Sequence, residues 1–161
     1  KNRLPQIVVS SAAKIYKGES YLQLPYVLLD YPRCFEKDNV FALRTMFWWG
    51  NFFSVTLLLG GVHKAYFQNT ILTNPALVKK DFFICISENQ WHHHFEEDNY
   101  ITASVISSTE LNKIIAEKDF IKIAVRYPLQ QWHEMPWLLL SGFEDLLQLI
   151  NLNCPGDETS L

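Results

Sequence analysis

The sequence predicts an α+β fold built mainly on an antiparallel β-sheet of hairpins or a meander, with helices near the N-terminus, around residues 108–118 and at the C-terminus. Three observations carry that reading. Short runs rich in aromatic and β-branched residues recur along the chain, separated by turn residues such as Gly50-Asn51 and Gly60-Gly61. Ser107 and Glu110 have the spacing of a capping box. Trp137, Leu140, Phe143, Leu147 and Ile150 repeat at helical intervals. Strands paired as hairpins with helices toward both ends imply an antiparallel sheet covered on one face. No linker, repeat or low-complexity segment divides the 161 residues, so one domain is expected over 1–161, with the polar stretch 153–161 as a frayed tail.

The elements follow in order. Residues 5–17, "PQIVVSSAAKIYK", place Pro5 at a first helical position and stop before Gly18, which predicts a short helix. "YLQLPYVLLDYP" reads as an extended segment broken by Pro25 and closed by Pro32; proline lacks the ladder donor, so an edge position suits it. "VFALRTMFWW", "FFSVTLLL" and "VHKAYFQ" then form a three-stranded meander around the two glycine turns. Asn74-Pro75 starts one helical turn through Lys80. "FFICIS" is strand and runs on through the histidines to a turn at Glu96–Asn99, with "YITASVI" as the return strand. "FIKIAVRY" alternates and ends at Pro128, and the last helix covers roughly 136–152.

Composition narrows the function. Hydrophobic residues make up 48% and charged residues 19%, which argues against disorder and for a large interior. The net charge is −3, with four arginines and a single Lys-Lys pair, Lys79-Lys80, so nucleic acid is not an expected partner. Thr45–Val62 carries no charge and reaches the length of a membrane span. Its alternation and its three glycines favour strands instead, so no membrane span is expected. Cys34, Cys85 and Cys154 are too few and too scattered for a disulfide framework or a zinc ribbon, and reduced thiols fit a cytoplasmic protein. Cys34 follows Arg33, a neighbour able to lower a thiol pKa, but no His partner for a nucleophile is evident.

The chemistry-bearing stretch is "ENQWHHHFEEDNY", Glu88–Tyr100. If residues 91–95 are extended, His92 and His94 share one face and His93 turns to the other. Two imidazoles at that spacing suit one divalent transition metal, Zn or Fe, completed by Asp98 or Glu97 from the turn or by His63, His133 or Glu134 from elsewhere. His92-x-His94 followed by Asp98 resembles the first metal motif of the cupins. The glycine that precedes that motif is absent here, as is a second motif with its His, and the likeness covers only these residues. "QWHEMPW" has His133-Glu134 without the second His of a zincin and reads as the connection into the last helix.

Two further groups stand out. In "LDYPRCF", Asp30 and Arg33 are spaced to pair across a proline turn. In "FALRTMFWWGNFF", Arg44 sits among apolar neighbours and must be paired, exposed or holding an anion. Consecutive aromatics on a strand cannot all face one core, so Trp48, Trp49, Phe52 and Arg44 mark a candidate binding surface. The sequence therefore leads to a non-catalytic binding or interaction module with an aromatic-rich sheet face, acting on a protein partner or by self-association as a homo-oligomer. A small metal-dependent enzyme using His92, His94, Asp98 and His133 is the alternative, and a carrier for an apolar small molecule the third.

Overall fold

The computed structural model describes residues 10–151. Its centre is a seven-stranded sheet in which every recorded pairing is antiparallel, in the order β1-β2-β3-β4-β7-β5-β6. The strands are β1 (Lys14–Tyr21), β2 (Leu24–Glu36), β3 (Asn39–Trp48), β4 (Phe52–Gly60), β5 (Phe83–Cys85), β6 (Tyr100–Thr102) and β7 (Phe120–Pro128). Among the described residues four α-helices complete it: α1 (Gly61–Thr73), α2 (Ala76–Lys79), α3 (Ser108–Glu117) and α4 (Met135–Leu149), the last entered through a 3-10 turn at Leu129–Glu134. The α+β class and the antiparallel sheet are as the sequence predicts.

Side-chain alternation divides the sheet into two faces. Phe41 and Leu43 of β3, Val55, Leu57 and Leu59 of β4, and Ile121 and Ile123 of β7 point toward the helices. There they pack on Phe67 and Ile71 of α1, Leu77 of α2, Ile115 of α3 and Leu146 of α4. Each fully buried Leu or Ile of this layer contributes about 2 kcal/mol of transfer free energy. The intervening residues, among them Ala42, Met46, Trp48, Phe52, Leu58 and Ala124, build a second core on the opposite face with Phe95 and Tyr100. Among the described residues no helix contributes to that core. It is closed by the segment 86–99, between β5 and β6.

Four sequence expectations change. Residues 14–17 are strand rather than the end of a helix over 5–17, while 1–9 and the tail 153–161 with Cys154 lie outside the described residues. "VHKAYFQ" is not the third strand of a meander but the start of α1, because His63, Phe67 and Ile71 recur every four residues and are its buried side. β7 takes the place beside β4 instead. The strand β2 runs through Pro32 to Glu36, and the missing proline donors fall where pairing is already irregular. Pro25 faces the bulge of β1, and Pro32 lies in the break between Asp30 and Arg33, past the last β1 pairing at Asp30. Finally, β5 ends at Cys85 and the histidines are not strand.

Other local expectations hold. The Ser107 hydroxyl accepts from the Glu110 N–H at 3.2 Å and caps α3. Asn74 Oδ1 accepts from the Ala76 N–H at 3.0 Å at the head of α2. Among the described residues no helix is long and apolar enough to cross a membrane; Thr45–Val62 is the end of β3, all of β4 and the first residues of α1.

Candidate functional site

The histidine segment leaves the sheet because its backbone finds partners other than a neighbouring strand. Lys118 Nζ donates to the Ser87 carbonyl at 2.6 Å and to Glu88 Oε1 at 3.1 Å. Lys122 Nζ, on β7, donates to the Gln90 carbonyl at 3.0 Å and to that of His92. The Tyr21 hydroxyl accepts from the His93 N–H at 2.9 Å and lies 2.6 Å from His94 Nδ1. Phe95 is the apolar anchor: it stacks on Tyr100 with ring centroids 4.4 Å apart and meets Phe52 and Phe83 edge-on. Three polar clamps, Lys118, Lys122 and Tyr21, and one aromatic plug thus hold the loop against the second sheet face.

Beneath it lies a cavity of about 10 Å³, room for one water-sized body. Arg44 of β3, Ser54 and Thr56 of β4, Tyr100 of β6 and Lys122 of β7 face it from below, and His93 from the loop. Burial, reinforced by the charges of Lys122 and Arg44, pushes the His93 imidazole down to about 3, so it is neutral at physiological pH. Burial also lowers the Lys122 ammonium to about 8, with Arg44 adding to the shift. The Tyr100 phenol is raised well above its ordinary value by burial.

The structure brings together three of the four proposed metal ligands. The His92 and His94 rings lie 5.3 Å apart on one side of the loop, and His93 turns inward, so the expected alternation survives without a β-ladder. His94 Nε2 is 3.0 Å from Asp98 Oδ1. His133 is elsewhere: it belongs to the 3-10 turn whose Trp132 packs on Phe47 and Phe53 at the helix side of the sheet. Each ring nitrogen of the pair also has a protein partner: Ser87 and Asn89 at His92, Tyr21 and Asp98 at His94. Among the described residues no group of three or more His, Cys, Asp or Glu side chains is arranged to hold a metal ion. Ala42, Met46 and Leu58 also line this water-sized cavity, and a carrier of apolar ligands would need a far larger space.

Of the four proposed binding residues, one is presented to solvent. Trp48 and Phe52 are buried in the second core, 5.3 Å apart and edge-on. Arg44 is held by Asp30, its direct cross-strand neighbour, through two hydrogen bonds. Arg33, expected to pair with Asp30, donates instead to the Ala12 carbonyl at 3.0 Å. Trp49 is 60% exposed at the β3–β4 turn and packs on Phe47. Cys34 is buried and its thiol is raised by burial and by Glu36, which leaves it a core residue rather than a nucleophile.

Sequence reasoning missed a different surface. Among the described residues the helices cover β3, β4 and β7 but leave β1 and the first part of β2 uncovered on the same side. Ile15 of β1 is 64% exposed, and Val27, Leu29 and Tyr31 of β2 are also exposed. The register joins them into one patch: Ile15 is opposite Leu29, and Val27 is opposite Phe47, which leads on to Trp49 and Trp132. The signal was weak, because Val27, Leu28 and Leu29 form an unbroken apolar run that does not say which face lacks a cover. Lys122 was more legible, since "FIKIAVRY" sets Lys122 and Arg126 on one face against Ile121, Ile123 and Val125 on the other. Comparison with protein-family models, with curated proteins and with solved structures returned no match.

Proposed function

We propose that this chain is a non-catalytic protein-interaction module and that its docking surface is the uncovered part of the helix-side sheet face. The observation that carries the reading is the continuous apolar strip Ile15–Leu29–Val27–Phe47, extended by Trp49 and Trp132. Contiguous exposed apolar patches are uncommon on monomers and mark interaction sites. Aromatic residues are also the types enriched at such interfaces. The partner is a protein surface, either a second copy of this chain or a different protein. The thiols of Cys34 and Cys85, buried and unbridged, suit the cytoplasmic location we assign to it.

The test is sedimentation of the tag-free protein over a wide concentration range, with Val27→Lys/Leu29→Lys as the control and bis-ANS fluorescence beside it. Association, or strong dye binding, in the parent and its loss in a variant that melts normally supports the surface. A parent that stays monomeric and binds no more dye than the variant overturns it.

A further inference from the structure

We propose that the cavity beneath the histidine loop is a binding site for a single halide-sized anion, chloride in the cell, bound between the sheet and the loop. The charge balance of the second sheet face is the first argument. Among the described residues lining the cavity there are two cations, Arg44 and Lys122, and no acid. Asp30 neutralises Arg44 from the side. Lys122 is 5% exposed, and the acceptors it reaches are the carbonyls of Gln90 and His92, which carry no charge. Among the described residues no carboxylate forms an ion pair with it. Arg126, whose cross-strand neighbour Ser54 also lines the cavity, lies over the rings of Phe52, Phe83 and Phe95 at 5.9, 5.2 and 5.3 Å. A buried ammonium without a counter-charge is costly, and an anion in contact with it removes most of that cost.

The donor set and the size fit the same ligand. The Asp30 pair uses two of the five N–H groups of Arg44, and the loop carbonyls use two of the three on Lys122. Ser54, Thr56 and Tyr100, residues 2, 7 and 4% exposed, add hydroxyls, with the Thr56 and Tyr100 side chains hydrogen-bonded to each other. A volume of about 10 Å³ admits one water-sized body and excludes sulfate or phosphate. Burial is the main cause of the lowered His93 and Lys122 pKa values, and the Arg44 charge adds to both. Because Lys122 also holds two loop carbonyls, an anion bound to it fastens the histidine loop to the sheet.

Melting curves of the full chain in sodium bromide or chloride, against sodium gluconate and sodium sulfate at matched ionic strength, provide the first test. Saturating halide is expected to raise Tm by about 8 °C, the scale of a ligand that binds only the folded state at roughly a hundred times its Kd. Lys122→Met should abolish the halide-specific rise, and Ser54→Ala should weaken it while leaving the fold intact. Crystals grown in bromide should show an anomalous peak between Lys122 Nζ, Arg44 and the Tyr100 hydroxyl. Equal Tm shifts with halide and sulfate, an unchanged halide response in either variant, or a cavity that holds only water in bromide crystals would each overturn the proposal. None of these results bears on the outer-strand docking surface.

Discussion

Asp30 and Arg44 face each other across β2 and β3, and the guanidinium grips the carboxylate at both oxygens, Nε to Oδ1 at 2.6 Å and Nη2 to Oδ2 at 2.7 Å. Asp30 is fully buried and the Arg44 side chain is 13% exposed. This pair accounts for a cation in the middle of the apolar run "FALRTMFWW": the fork satisfies a carboxylate that has no access to water. Removing one partner leaves the other charge stranded, so Arg44→Met should lower unfolding stability by about 3–5 kcal/mol. Asp30→Leu with Arg44→Met should cost clearly less than the sum of the two single changes. Urea denaturation of the parent, both singles and the double tests this, and strictly additive losses would remove the coupling.

The pH dependence of stability should carry the signature of His93. Its folded pKa, about 3, lies below the 6.5 of the unfolded chain, so between those values the unfolded state binds a proton that the folded state refuses. The His93 contribution is therefore complete above pH 6.5 and is lost as pH falls toward 3, amounting to about 2 kcal/mol by pH 5. His63 shifts in the same direction, chiefly through burial, so total acid sensitivity does not isolate one residue. The informative quantity is the difference between parent and His93→Asn. The variant should lose stability less steeply between pH 6.5 and 4, and parallel curves would show that His93 is not the buried neutral group.

The parts of the fold that were legible are those where local chemistry and tertiary packing agree. Gly50, at φ 71°, turns β3 into β4 as Gly50-Asn51 suggested, and Ser107 caps α3 as its spacing required. Gly60-Gly61 was legible as a change of direction but not in its outcome. Gly61 has φ 57°, and a Cβ there would lie 2.3 Å from Asn39 Oδ1, yet the chain continues into a helix rather than a strand. In "VHKAYFQ" the periods of 2 and 3.6 fit equally well over seven residues, and only the buried spacing of His63, Phe67 and Ile71 decides. The β1–β2 hairpin was hidden for another reason. Leu22 and Gln23 occupy its turn at φ 46° and 71°, a conformation usually signalled by Gly or Asn. The histidines were legible as residues that share a side, but not as a loop. What lifts them off the ladder is Lys118, Lys122 and Tyr21, the nearest of which is 24 residues away in sequence from His94 (118 − 94).

Tyr21 offers the most direct test of how that loop is held. Its oxygen accepts from the His93 N–H at 2.9 Å, so its own proton is available to His94 Nδ1 at 2.6 Å. That assigns His94 the tautomer protonated at Nε2, which then donates to Asp98 Oδ1 at 3.0 Å. Tyr21→Phe keeps the ring against Trp48 and His93 but removes the hydroxyl, leaving a backbone N–H and a ring nitrogen without partners. Such a loss costs about 1–3 kcal/mol, and it falls on the loop because β1 and β2 pair through their backbones. Amide hydrogen exchange should accelerate across residues 86–99, while the amides of β3, β4 and β7 slow or quicken only as far as global stability changes. Unchanged protection at His93, His94 and Phe95 would mean that Lys118 and Lys122 suffice to hold the loop, and that the Tyr21 hydroxyl is a bystander.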